Sequence, residues 1–69
     1  MTRSTAPDEL WHELRKAACA QLQAAIEYER ALFTGDDDHK PYAFLCAATR
    51  RREEAIREVV AAEQAKEDA

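Results

Sequence analysis

A single glycine, Gly35, lies near the middle of this 69-residue chain and separates two segments of similar length with helical periodicity. Glycine enters the left-handed backbone region without a Cβ clash, so one placed between two such segments reads as the end of the first helix. The first segment carries Ala18 and Ala25, and the second carries Ala48, Ala55 and Ala62, all at seven-residue spacing. Side chains that small, repeated at heptad intervals, let two antiparallel helices approach closely along one seam. The expected fold is all-α, an antiparallel two-helix hairpin. A lone hairpin covers only one stripe of each helix, so a second copy is expected to close it into a homodimeric four-helix bundle.

Local signals set the boundaries. Thr5, Ala6, Pro7 and Asp8 read as a helix start, with a hydroxyl cap and a proline in the first turn. Asp8 and Glu9 then complement the positive end of the helix dipole. The first helix is expected over about residues 6–33, after a loose tail. The turn takes residues 34–38, where Asp36, Asp37 and Asp38 compete to cap the second helix. Pro41 is tolerated in that helix's first turn, because an N–H there has no helical acceptor. The second helix is expected over about residues 39–65, with Glu67 and Asp68 frayed against the negative end of the dipole. Residues 1–69 form one domain, near the lower size limit for stability without staples.

At 100° per residue, the apolar arc of the first helix contains Leu10, Trp11, Leu14, Ala18, Leu22, Ala25, Ile26, Leu32 and Phe33. That of the second contains Phe44, Leu45, Ala48, Ala55, Ile56, Val59 and Ala62. Both arcs are wider than one seam requires. Leu22, Ile26 and Phe33 flank one side, Tyr42, Leu45 and Ile56 flank the matching side, and together they form a candidate interface. Glu29 and Arg52 fall inside these arcs. Long charged side chains in such places specify register or meet a partner, because an unpaired buried charge costs several kcal/mol. Arg52 is expected to meet Gln21 across its own hairpin and Glu29 across the interface.

Composition narrows the class. Hydrophobic content of 46% with 35% charged residues describes a folded helical chain rather than a disordered one. A net charge of -4 and a pI near 5.1 disfavour general affinity for nucleic acid or anionic membranes. No segment has the apolar core of a signal peptide or the roughly 18 apolar residues of a membrane span. Two cysteines, Cys19 and Cys46, are too few for a disulfide framework, and a hairpin offsets them by about 10 Å along the axis. Both are expected as small, buried or half-buried fillers in a reduced, cytoplasmic protein.

Other polar clusters have ordinary explanations. Arg50, Arg51 and Arg52 point about 100° apart on a helix and make no stripe. Arg50 faces Glu54, Glu53 faces Arg57, and no aromatic residue interleaves as a stacking platform. Asp36, Asp37, Asp38 and His39 lack the alternating ligand positions of a calcium loop, and capping accounts for them. His12, four residues after Asp8, belongs to an incomplete ligand set. No residues are assigned to catalysis, to a metal or to a cofactor.

In helix count and length the expected assembly is similar to small dimeric four-helix bundles that regulate plasmid copy number. No motif is shared with them, so their RNA binding is not implied. The resulting expectation is a noncatalytic, self-associating protein-interaction module acting as adaptor or regulator. The alternatives are a nucleic-acid-binding dimer using Arg50, Arg51 and Arg57, or a small metal-binding or enzymatic helical bundle using Glu29, His12 or the acidic Asp36–His39 turn.

Overall fold

The computed structural model describes residues 6–67. It is an antiparallel hairpin of two helices, α1 (Asp8–Thr34) and α2 (His39–Glu67), packed against each other along their length, with no strand among the described residues. The pair is a thin rod of 53 × 20 × 15 Å. Its radius of gyration of 15.8 Å exceeds the roughly 11 Å of a compact 69-residue domain. Neither helix is long and apolar enough to cross a membrane.

The start of α1 differs from expectation. Pro7 occupies the cap position itself, with φ −59° and ψ 146°, and no side chain bonds to the first turn there. Its carbonyl accepts from the backbone N–H groups of Leu10 at 3.0 Å and Trp11 at 3.4 Å. A proline costs nothing at this point, since its missing N–H would find no helical acceptor. The expected Thr5 cap lies outside the described residues. Ala6, expected in the tail, is buried.

The turn is built as its residues dictate. Gly35 takes φ 77° and ψ 15°, and the Asp36 N–H reaches back to the Ala31 carbonyl at 3.1 Å, closing a Schellman-type end. The Thr34 hydroxyl lies 3.0 Å from the Arg30 carbonyl and 2.9 Å from Asp36 Oδ2, sharing its proton between them. Asp37 Oδ1 then accepts from the His39 N–H at 3.0 Å, and the Asp38 carbonyl accepts from Tyr42 N–H at 2.9 Å. Pro41 is the third residue of α2.

The seam is shifted by one residue in α1. Ala17, Ala24 and Ala31 are its buried residues, whereas Ala18 and Ala25 are only half-buried. The seam runs Leu10, Leu14, Ala17, Gln21, Ala24, Tyr28 and Ala31, alternating steps of four and three as antiparallel helix packing requires. This phase sets Ala24 near Ala48 and Ala17 near Ala55. The phase through Ala18 and Ala25 would bring the bulk of Leu32 to the next position. Among the described side chains of α2 only Val59 is buried, with Pro41, Leu45, Ala48, Ala55, Ile56 and Ala62 partly covered. Close approach of small side chains thus leaves no large side chain fully buried among the described residues.

Candidate functional site

A pair of packed helices has two broad faces, and this one divides them by chemistry. On one, Glu13, Lys16, Ala20, Gln23 and Glu27 of α1 line an open groove with Phe44, Ala47, Arg51, Glu54 and Glu58 of α2. Carboxylates surround Arg51 there, so the groove is mixed in charge. Turning about half a revolution from those residues reaches the other face. It carries Trp11, Ala18, Leu22, Ala25 and Glu29 on α1, with Ile26 and Phe33 at the outer edge. Tyr42, Thr49, Ile56 and Val60 lie on the same side of α2.

This second face is apolar and uncovered. Phe33 is 92% exposed, Leu22 65% and Ile26 55%, and Trp11, Leu32, Tyr42 and Val60 are also exposed. Leu45 and Ile56 are half-buried where the face meets the seam. Contiguous exposure of large side chains on one side of a small protein marks an interaction surface rather than scattered surface hydrophobics. Of the candidate residues, Leu22 lies on this side of α1, Ile26 and Phe33 lie further round towards the side away from α2, and Leu45 and Ile56 lie at the seam edge. Trp11, placed in the apolar arc from its spacing, belongs here rather than in the hairpin core. Val60 is an addition: its spacing of four from Ile56 puts it on this face.

Polar groups edge the face. Gln21 Nε2 donates to Thr49 Oγ1 at 3.1 Å, a partly buried bond between the helices. Gln21 therefore pairs with Thr49 and not with Arg52, whose side chain is exposed. A short, level hydroxyl accepts the amide within the closed seam, while a long guanidinium swings out to water. Near the turn the Tyr28 and Tyr42 rings meet at 5.5 Å with an interplanar angle of 52°. Hydrogen bonding with Cys46, then repulsion from the ionised Cys46 and Tyr28, raises the Tyr42 phenol above its ordinary value near 10. Cys19 and Cys46 are both free and exposed, contrary to the expectation of buried fillers. They point well away from the seam, Cys19 nearly opposite to it.

Glu29 is exposed on the apolar face, as is Arg15, about one turn from Trp11. Neither closes an ion pair within the hairpin among the described residues. The expected Arg50–Glu54 and Glu53–Arg57 pairs do not close either. All four side chains are exposed, where ordering two long chains offsets most of the attraction. Arg50, Arg51, Arg52 and Arg57 are spread around α2 rather than gathered on one side.

At the turn, donor atoms of Asp37, Asp38 and His39 lie within 4.8 Å of one another. His39 Nδ1 is 3.5 Å from Asp37 Oδ1 and 3.5 Å from Asp38 Oδ1. Asp37 is already engaged by the His39 backbone, and Asp36 turns back to Thr34, so this cluster is organised as a cap. His12 is exposed on α1, away from the turn. No protein-family model, curated protein or solved structure matches this chain.

Proposed function

We propose that the protein is a noncatalytic interaction module that self-associates through its apolar face into a homodimeric four-helix bundle and serves as an adaptor or regulator. One observation carries the reading: the hairpin exposes more surface than a monomer of its size needs to. A compact 7.8 kDa protein exposes about 4,400 Å², and this chain exposes 5914 Å². Counting the seven residues outside 6–67 as fully extended still leaves an excess of about 800 Å². That is close to the roughly 800 Å² each partner buries in a standard stable interface. Large exposed side chains, among them Leu22, Ile26, Phe33, Tyr42 and Val60, supply apolar surface for burial against another copy.

The polar contacts of the fold serve helix pairing and capping, which fits a structural rather than a chemical role. Mixed charge around Arg51 and the spread of the other arginines favour a protein partner over a nucleic acid. Two exposed, unbridged thiols fit a reducing compartment such as the cytoplasm. Sedimentation equilibrium of the purified chain tests the proposal. A mass twice 7.8 kDa, with a melting temperature that rises with concentration, is expected. A 7.8 kDa monomer with a concentration-independent melt refutes it. Stoichiometric, salt-dependent binding of generic RNA or DNA refutes the preference for a protein partner.

A further inference from the structure

The charges on the apolar face select one way for two copies to meet. We infer that α1 pairs antiparallel with α1 of a second copy about a two-fold axis at Leu22, bringing Arg15 opposite Glu29 and Trp11 opposite Phe33 of the other copy. The inference rests on the homodimer reading and goes beyond it by fixing the register. In an antiparallel, symmetric pair, residues equally far from the axis on either side stand opposite each other. Arg15 and Glu29 each lie seven residues from Leu22, about 10 Å along the helix. Trp11 and Phe33 each lie eleven residues away, about 16 Å. All four are exposed, as is Leu22 itself.

Symmetry repeats each contact. Two Arg15–Glu29 pairs flank Leu22 packed on its own copy, and two Trp11–Phe33 contacts close the ends. Between them Ala18 faces Ile26, small against large, as interdigitating layers need. Glu29, the charge that interrupts the apolar stripe, thereby acquires a partner. Other registers fail. A one-heptad slip sets Glu29 against Asp8 of the other copy in one direction and against Leu22 in the other. Parallel pairing sets Arg15 against Arg15 and Glu29 against Glu29.

The second helix supplies an independent check. The Gln21–Thr49 hydrogen bond marks Thr49 as level with the region of Leu22. The same axis therefore passes near Thr49 and pairs α2 with α2. Tyr42 and Ile56 each lie seven residues from Thr49. They stand opposite each other with no further adjustment, joining two apolar side chains of the face.

The test uses reciprocal charge reversal on the full chain. Arg15→Glu and Glu29→Arg are prepared separately, and their dissociation constants are measured by sedimentation equilibrium, with helicity checked by circular dichroism. Each variant alone replaces two opposite-charge contacts by two like-charge ones and is expected to weaken self-association by about tenfold or more. An equimolar mixture restores opposite charges at both places and is expected to return to within about threefold of the parent. The double variant Arg15→Glu, Glu29→Arg should recover in the same way. If the parent is a dimer and both single variants bind as tightly as it does, the register is wrong while the homodimer stands. If only Glu29→Arg weakens association, Glu29 has another partner and the register is again overturned. A monomeric parent removes the homodimer and the register together.

Discussion

Replacing Ala24 by leucine tests the feature on which the hairpin depends. Ala24 is only 7% exposed and lines the same stretch of the helix pair as Ala48. A leucine there adds a branched side chain where the two helices meet through alanines, and the backbones must separate or the side chain must leave its rotamer. Overpacking of this kind costs about 1–3 kcal/mol. With an unfolding entropy near 2.1 cal/mol/K per residue, a 69-residue chain has about 145 cal/mol/K at its midpoint. The melting temperature should therefore fall by roughly 7–20 °C. The estimate is the same for a dimer, because two substituted chains double both the penalty and the entropy. Thermal unfolding followed by circular dichroism measures it, at matched concentration. Ala61→Leu on the exposed outer side of α2 is the control, expected within about 0.5 kcal/mol of the parent. If Ala24→Leu melts with the parent, or no lower than Ala61→Leu, the helices do not meet through the Ala17, Ala24 and Ala31 stripe.

Further outcomes follow from the turn, the seam and the tyrosine pair. Gly35→Ala should cost about 1 kcal/mol from the left-handed backbone alone, since nothing lies within 4 Å of the added Cβ. Gly35→Asn should cost less, and paired thermal melts decide between backbone strain and a packing clash. Gln21→Ala and Thr49→Ala should each destabilise by about 1 kcal/mol, and the double variant by less than their sum. Strict additivity in that cycle would show that the 3.1 Å bond contributes no coupling. The raised folded-state pKa of Tyr42 means that its contribution to stability is complete below pH 10 and is lost as pH rises through the higher folded value. Phenolate absorbance should show a late tyrosine transition that Tyr42→Phe removes and Cys46→Ala brings earlier.

Local chemistry made the hairpin legible. Gly35 ends α1 because glycine accepts a positive φ. The Asp37 carboxylate satisfies the free His39 N–H at the start of α2, and Pro41 fits only within that first turn. These effects act over four or five residues and do not depend on what packs nearby. The breadth of the apolar arcs was legible for a similar reason, since helical periodicity alone places Leu22, Ile26 and Phe33 on one side. The phase of the seam was decided by tertiary structure. Alanine occurs in adjacent pairs at 17 and 18 and at 24 and 25, and neighbours on a helix point 100° apart, so either member can face a partner. Only packing against a second helix distinguishes them, by continuing the small-residue stripe to Ala31 instead of meeting the bulk of Leu32. That choice turned Trp11 and Leu22 outward, gave Gln21 to Thr49, and released Arg52 and both thiols to solvent. A pairing across the hairpin depends on the rotation of both helices about their axes, and rotation is set by the sum of all contacts along the seam rather than by any short stretch of sequence.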